Sequence, residues 1–449
     1  MILEALIGFR SRQRETAVQS ALSAARQAIL PCRSLLSETG EVSGVRLATE
    51  ALERYKSLDA ASQAAFFDLL ATEFSPNPEA VGAAADAYRK EPSAATLSRL
   101  LSVVEPARQE LFRRLNLAPD GIRVLVEMRR ELLRHASDKP HWAPIEEDLA
   151  HLLGSWFNRG FLELHRIDWR TPAIVLEKLI RYEAVHQNHG WHDLRRRLEM
   201  DRRCYAFFHP ALRDDPIIFV EVALTRRISP RVQPLVDPNA PVIDPRSATC
   251  AVFYSITNCH EGLRGVPLGN FLIKKVAQDL GNELRQIRTF ATASPAPGFR
   301  RWLEATMETE RERPQFAALA PVLARMNEPD WLPEKQPEKQ ASELAQREFP
   351  ALCAHYFLHA SNGNKEPLDS VARFHLRNGA RLERINWLGD TSPAGIQRAC
   401  GLMVNYIYRL SEVERNHESY VKEHKVVASR TIESLAKESI LERRDKRRQ

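Results

Sequence analysis

The sequence has few of the features that mark specialised classes of protein. No stretch of its 449 residues approaches 18 consecutive apolar residues, so no membrane-spanning helix is predicted. The six cysteines are scattered and never form a Cys-x-x-Cys pair, which argues against a disulfide framework and a cysteine zinc site. The first apolar run is too short for a secretory signal, and the chain does not end in the peroxisomal Ser-Lys-Leu address. We therefore expect a cytoplasmic protein with reduced thiols and no membrane partner.

The body of the chain also lacks a large excess of positive charge. The net charge is +6, and residues 421–449 contain nine basic and five acidic residues, which accounts for four of those six charges. Nucleic-acid-binding proteins generally spread their basic residues over a folded face. We therefore expect no nucleic-acid partner, and we interpret residues 426–449 as a basic C-terminal tail, either a solvated helix end or a frayed segment.

Residues 1–158 have the pattern of a helical bundle. In one segment Ile122, Leu125, Val126 and Leu132 recur close to the helical period, with arginine and glutamate on the opposite side. Breaks that contain proline, asparagine or aspartate separate successive helices. The pattern predicts a helical N-terminal domain.

Residues 159–425 have a different pattern, which predicts an α/β domain. Residues 216–225 and 250–258 are runs of strand length, rich in β-branched and aromatic residues and apolar at nearly every position. Such runs are typical of strands that helices cover on both faces of a sheet. A third strand is predicted at residues 380–387, and a helix is predicted over residues 394–410.

The turn after the second predicted strand allows two interpretations. The first amides of a helix have no internal hydrogen-bond partners and lie at the positive end of the helix dipole, so a glycine-containing turn in front of them suits a phosphate. In the ordinary alternative, Gly265 and Gly269 make a tight turn and Asn270 caps the helix. Spacing alone leaves both interpretations open. The turn consists of Arg264, Gly265, Val266, Pro267, Leu268, Gly269 and Asn270.

Longer stretches of sequence carry a more specific signal. The strand, the Arg-Gly-x-x-x-Gly turn and the helix resemble the loop with which the GNAT acetyltransferase superfamily holds the pyrophosphate of coenzyme A. Together with "FYSIT", "SPAPGF", "VARFHLRNGARLERINW" and "GLMVNY", they resemble the malonyl-CoA decarboxylase family, whose catalytic domain is a GNAT relative. The resemblance covers nearly the whole chain. It implies a helical domain at residues 1–158, a GNAT-like α/β catalytic domain at residues 159–425, and a CoA pyrophosphate on the 264–270 turn.

The resemblance also implies a reaction and the residues that perform it. The reaction is the conversion of malonyl-CoA to acetyl-CoA and carbon dioxide, and the implied catalytic and substrate-binding residues are Ser294 and His375. Ser294 would orient the substrate by donating a hydrogen bond. His375 would protonate the enolate, because an unperturbed histidine titrates near neutral pH. Pro267 departs from the phosphate-binding pattern, since proline has no amide hydrogen to donate.

Two further residues are candidates for the surroundings of this site. Asn378 follows His375 in a predicted turn and would orient the imidazole, although a plain turn is an equal alternative. Tyr406 falls in the helix predicted at residues 394–410, where packing is the alternative to lining the site.

A cluster of histidines offers a metal-binding interpretation that the spacing does not favour. His186, His189 and His192 are spaced i, i+3 and i+6 across an Asn-His-Gly break, whereas a helical zinc pair needs i and i+4. The thioester is itself the electron sink in decarboxylation. We therefore expect no metal and no organic cofactor.

Two alternatives to a decarboxylase remain open from the sequence. One is a GNAT-type N-acyltransferase that uses the same coenzyme A loop, and the other is a non-catalytic CoA-binding scaffold. The expected small-molecule partners are malonyl-CoA and acetyl-CoA. The resemblance implies a homo-oligomer, a dimer or tetramer, formed through the helical domain.

Overall fold

The computed structural model forms two compact units. The first consists of residues 1–163 with residues 209–215 and 260–268, and the second of residues 164–208, 216–259 and 269–449. The structure describes residues 2–183, 185–186, 190–266, 268, 272–311, 313–328, 331 and 339–443, excluding the side chains of residues 2–14, 159 and 339–342.

The first unit is helical, as the apolar periodicity predicts. Its α-helices are α1 (Ile2–Ser37), α2 (Glu41–Lys56), α3 (Ala60–Glu73), α4 (Pro78–Lys90), α5 (Ala94–Val104), α6 (Ala107–Leu115), α7 (Gly121–Arg134) and α8 (Ala143–Trp156). Aromatic residues fill part of the core: Phe67 on α3 packs against Phe66 and Trp142, with ring centroids 6.1 and 5.1 Å apart.

Helix α7 shows why this sequence folds into a bundle. The predicted apolar residues Ile122, Leu125, Val126 and Leu132 are all buried, because the 3.6-residue period places them on one side of the helix. The burial of that apolar stripe against neighbouring helices is the main source of helix stability here, since isolated helices of this length are marginal in water.

The second unit contains a mixed sheet of eight strands within the described residues. The strands are β1 (Glu163–Ile167), β2 (Arg202–Phe208), β3 (Ile218–Thr225), β4 (Cys250–Asn258), β5 (Thr289–Thr292), β6 (Ser294–Pro295), β7 (Arg381–Asn386) and β8 (Met403–Ile407). Their order is β1-β2-β3-β4-β5-β8-β6, and β7 also pairs with β8. β4 and β5 are parallel, whereas the β2–β3, β3–β4 and β7–β8 pairs are antiparallel.

The helices of this unit lie between its strands, except for the last two, which follow β8. They are α9 (Ala173–Tyr182), α10 (Trp191–Arg197), α11 (Gln233–Val236), α12 (Leu272–Glu283), α13 (Phe299–Thr309), α14 (Pro314–Arg325), α15 (Lys339–His359), α16 (Ser370–Arg377), α17 (Pro393–Ala399), α18 (Val413–Glu423) and α19 (Arg430–Lys437). Helices followed by an α/β sheet domain confirm the predicted fold class.

One predicted element is wrong. The helix expected over residues 394–410 is instead the short helix α17 followed by strand β8. Cys400 and Gly401 both have positive φ, 53° and 73°, so the chain leaves the helix through two left-handed residues. An apolar run of this length is compatible with either a strand or a buried helix, and here the sheet decides.

The C-terminal segment differs from the solvated tail expected at residues 426–449. Ser429 caps α19 by accepting a hydrogen bond from the amide of Ile432, and Ile432, Ala436 and Ile440 are buried. Up to residue 443 this segment is therefore part of the folded unit, and residues 444–449 lie outside the described range.

The structure also bears on two predictions about the class of protein, the absence of a membrane-spanning helix and the state of the cysteines. None of the described helices combines the length and apolar character needed to cross a membrane. All six cysteines lie within the described residues; each is buried, and none of them forms a disulfide in the structure.

Candidate active site

The structure brings together the two side chains that the resemblance singles out. The Oγ of Ser294 lies 2.8 Å from the Nε2 of His375, although the residues are 81 positions apart in the chain. Both side chains are buried, Ser294 being 5% and His375 2% exposed. A buried hydroxyl–imidazole pair within hydrogen-bond distance is an arrangement suited to acid–base chemistry.

The sheet fixes the position of Ser294. Ser294 pairs with Val404 of β8 in antiparallel register, and its place before Pro295 favours this extended backbone. Its hydroxyl donates to the Oγ1 of Thr292 at 2.9 Å, and that oxygen also accepts from the amide of Tyr406 at 3.1 Å. The hydroxyl direction is thus set by two neighbouring strands.

Helix α16 fixes the position of His375. Asp369 caps this helix by accepting hydrogen bonds from the amides of Val371 and Ala372. The second oxygen of Asp369 accepts from the amide of Gly298 at 3.3 Å, which ties the start of α16 to the segment that follows Ser294. The cap therefore holds both halves of the site.

Helix α16 ends at the turn that the sequence predicts after His375. Asn378 is the C-cap residue, and its side chain donates to the carbonyl of Phe374 at 2.8 Å. Gly379 has φ of 79°, and a Cβ there would lie 2.1 Å from the carbonyl oxygen of Val413, so this position requires glycine.

Two tyrosines complete the surroundings of the imidazole. The hydroxyl of Tyr408 lies 2.8 Å from the Nδ1 of His375, and the ring of Tyr406 stacks on the imidazole with centroids 4.5 Å apart. Residues two apart on an extended strand face the same way, which is why both reach His375. The hydroxyl of Tyr406 is buried and makes no hydrogen bond with the described residues.

The hydrogen bonds define the protonation of the site. Because Ser294 donates its one hydroxyl proton to Thr292, the Nε2 of His375 carries the hydrogen that joins the pair, and the Nδ1 accepts from Tyr408. Burial lowers the pKa of His375 to about 3. The imidazole is therefore neutral at neutral pH, unlike the unperturbed histidine assumed from the sequence.

The turn predicted to hold phosphate is described in part. Arg264 and Gly265 are exposed, and Gly265 has φ of 78°, a left-handed conformation that favours glycine. The amides of Val266 and Leu268 donate to the carbonyls of Leu263 and Val266, at 3.1 and 2.9 Å. Those two amides are thus engaged within the turn. The remaining predicted residues, Pro267, Gly269 and Asn270, lie outside the described residues.

The described part of the histidine cluster has other contacts. The Nε2 of His186 lies 2.9 Å from the carbonyl oxygen of Tyr254. Glu183 accepts hydrogen bonds from Ser255 and forms an ion pair with Arg197 at 3.0 Å. His189 lies outside the described residues.

Sequence reasoning missed two groups that contact the pair directly, Thr292 and Tyr408. The signal for Thr292 was available, because strand alternation places it on the same side as Ser294. The signal for Tyr408 was hidden by the incorrect helix over residues 394–410.

Fold and site together describe a protein with a helical N-terminal region and a mixed α/β domain that contains a buried serine–histidine pair. The family model described as the malonyl-CoA decarboxylase C-terminal domain matches residues 160–446, and the N-terminal domain of the same family matches residues 74–157. The chain therefore belongs to the malonyl-CoA decarboxylase family, and it is an enzyme of that family's kind, a carboxy-lyase.

Named relatives agree with this assignment. The chain is 36% identical over 361 residues to the mitochondrial malonyl-CoA decarboxylase of Anser anser anser, covering 75% of this chain and 71% of that protein. It is similar to the crystal structure of malonyl-CoA decarboxylase from Rhodopseudomonas palustris, with a TM-score of 0.85, 45% identity, and coverage of 91% and 99% of the two chains. The structure from Agrobacterium vitis has a TM-score of 0.84 at 45% identity, with the same coverage. The predicted resemblance is confirmed.

Proposed function

We propose that the chain decarboxylates malonyl-CoA to acetyl-CoA at the Ser294–His375 pair, with Ser294 orienting the substrate and His375 protonating the enolate. The observation that carries the proposal is the 2.8 Å contact between the Ser294 hydroxyl and the His375 imidazole inside the sheet domain. The family assignment supplies the substrate.

The buried surroundings suit the first step of this reaction. The bond between the carboxylate carbon and the α-carbon breaks, carbon dioxide leaves, and the electron pair moves into the thioester as an enolate. The charge of the carboxylate disperses in the transition state. A dry site therefore destabilises the bound carboxylate more than it destabilises the transition state, and the barrier is lower than in water. The hydroxyl of Ser294 can stabilise the developing negative charge once its proton turns from Thr292 to the thioester oxygen.

The second step needs a proton, and the neutral imidazole must first acquire one. Burial is the cause of the lowered pKa of His375, and an adjacent malonyl carboxylate opposes it, because a nearby negative charge favours the imidazolium. Substrate binding and protonation of His375 are thus coupled. In the imidazolium, Nδ1 donates to the Tyr408 oxygen and Nε2 delivers its proton to the α-carbon, which restores the neutral ring. One proton is consumed for each carbon dioxide released.

The same proposal assigns the CoA pyrophosphate to the 264–270 turn. The exposed guanidinium of Arg264 and the left-handed conformation of Gly265 support it, since an anion needs a nearby cation and space without a side chain. The proposed contacts of Pro267, Gly269 and Asn270 rest on the sequence resemblance alone.

Carbon dioxide release from malonyl-CoA alone tests the proposal. We expect the purified chain to release one carbon dioxide for each acetyl-CoA formed, with no metal or amine added. An N-acyltransferase would require an amine acceptor, and a scaffold would bind malonyl-CoA without turnover. His375→Asn is the matched control: it should abolish release and leave CoA affinity nearly unchanged. If His375→Asn released carbon dioxide at the wild-type rate, the proposed role of His375 as proton donor would be contradicted.

Assembly and location are proposed on the same basis. We expect a homo-oligomer, a dimer or tetramer, formed through the helical region, and a cytoplasmic protein. Sedimentation of the full chain and of a chain lacking residues 1–158 would test the first expectation, and fractionation of cells that express it would test the second.

A further inference from the structure

A second cluster of ionisable side chains shares no residue with the proposed active site. His355 and His359 lie one turn apart on α15, and Glu442 follows α19 in the C-terminal segment. One side-chain ligand atom from each residue falls within a group whose members are all within 4.8 Å of one another. Two histidines at i and i+4 on a helix, joined by a carboxylate, are a donor set that zinc prefers.

The distances in this cluster approach those of a metal site. An Oε1 of Glu442 lies 3.3 Å from the Nδ1 of His355 and 3.9 Å from the Nε2 of His359. Ligand atoms bound to zinc at about 2.0–2.2 Å in tetrahedral geometry lie about 3.3–3.6 Å apart. One of the three pairs already has this separation. The other two, at 3.9 Å and at no more than 4.8 Å, require the half-exposed His359 side chain to move closer.

The Nδ1 of His355 gives an independent indication of a ligand. This atom is buried, yet it has no hydrogen-bond partner among the described residues. The carboxylate oxygen of Glu442 lies 3.3 Å away, within ion-pair distance. A buried polar atom without a partner is unfavourable, and a cation would satisfy it.

Neighbouring contacts hold the ligands in place. Trp302 stacks on the His355 ring, with centroids 6.2 Å apart and an interplanar angle of 26°. The amide of Glu442 donates to Ser439, and Arg443 pairs with the buried Glu348 of α15. Such surroundings limit side-chain freedom before any ion arrives.

We propose that His355, His359 and Glu442 bind a divalent late-transition-metal ion, with Zn²⁺ as the best match to the donors. The site joins α15 to the segment after α19, so the ion would fasten the C-terminal segment to the sheet domain. This proposal departs from the expectation, drawn from the sequence, that the protein holds no metal. The site shares no residue with the proposed decarboxylation site.

Zn²⁺ binding by the full chain tests the proposal. The apo protein, prepared with a chelator, is titrated with Zn²⁺ against a chromophoric competitor, and Co²⁺ absorption reports the coordination geometry. We expect one ion per chain and a higher Tm with Zn²⁺. Separate His355→Gln and Glu442→Gln substitutions should each weaken binding at least tenfold, because losing even an outer-sphere partner costs about 10–100-fold.

His151→Gln is the matched control. His151 is an exposed histidine on a helix, four residues after Glu147, with the same i, i+4 spacing, and its substitution should leave the binding unchanged. Binding that survives the loss of His355 or Glu442, or that falls equally with His151→Gln, would overturn the proposal. His359→Gln changes an exposed side chain and carries the test if either of the other two variants fails to fold.

Discussion

The pH dependence of turnover tests the proposed role of His375 most directly. Burial lowers the pKa of His375 to about 3, so the free enzyme holds a neutral imidazole at pH 7. Protonating it there costs roughly 5–6 kcal/mol, four pH units at about 1.4 kcal/mol each. A general acid must therefore obtain most of this free energy from the substrate.

The substrate carboxylate supplies a comparable amount. Two unit charges about 4 Å apart attract each other by about 4 kcal/mol at an effective dielectric constant of about 20. This raises the pKa of the imidazole in the complex by about three units, to about 6. Because only the imidazolium protonates the enolate, kcat should be constant below about pH 5 and fall roughly tenfold per pH unit above about pH 7.

Steady-state release of carbon dioxide between pH 5 and pH 9 measures this dependence. Between pH 5 and pH 9 the imidazole of the free enzyme and the carboxylate of free malonyl-CoA are both deprotonated. The reactive complex needs one proton more than these two species carry, so kcat/KM should fall with rising pH across the whole range. At pH 5 the enzyme should take up close to one proton when it binds a non-decarboxylating malonyl-CoA analogue. It should take up none when it binds coenzyme A, which has no carboxylate. Enzyme returned to pH 7 after each incubation must regain its full rate. A kcat that stays flat to pH 9, or rises, would refute the imidazolium as the acid.

Three further predictions concern the site, the turn and stability. Ser294→Ala should lower kcat about 100–1000-fold without changing the affinity for coenzyme A. If kcat and the affinity for coenzyme A fell by the same factor, Ser294 would have a structural role. Gly265→Asp should raise KM at least about tenfold relative to Gly265→Asn, because both side chains tolerate positive φ but only aspartate repels phosphate; equal KM values would argue against the turn as the phosphate site. Wild type should lose about 2 kcal/mol more stability than His375→Gln between pH 7 and pH 5, measured by urea unfolding. The sign follows because the unfolded histidine, near pKa 6.5, binds a proton that the folded one, near 3, does not.

The class of each unit could be predicted from the sequence because periodicity reports burial. The helical stripe of α7 and the apolar run of β4 both lie where their patterns indicate. The prediction failed over residues 394–410, where an apolar run has no decisive period. β8 is a strand because its neighbours β5, β6 and β7 offer it hydrogen bonds, and those neighbours are distant in the sequence.

The same limit applies to the site. Nothing local indicates that Ser294 and His375 approach within 2.8 Å, so their pairing was inferred only from a resemblance. The contact of Tyr408 with the imidazole depends on the strand that was mistaken for a helix. The pKa of His375 depends on burial by the whole domain, which no neighbouring residue determines.

Burial of the pair connects the fold to the proposed chemistry. The desolvation that keeps His375 neutral also destabilises a malonyl carboxylate placed beside it, so neither charge is favourable alone. The imidazolium of His375 and the malonyl carboxylate neutralise each other. Binding of the ionised substrate together with one proton on His375 is therefore more favourable than either charge alone. Acetyl-CoA lacks the carboxylate, so once carbon dioxide has left and the proton has moved to carbon, no charge remains in the site to hold the product. The depth of the pair in the sheet domain therefore favours both the reactive form of the substrate and the release of the product.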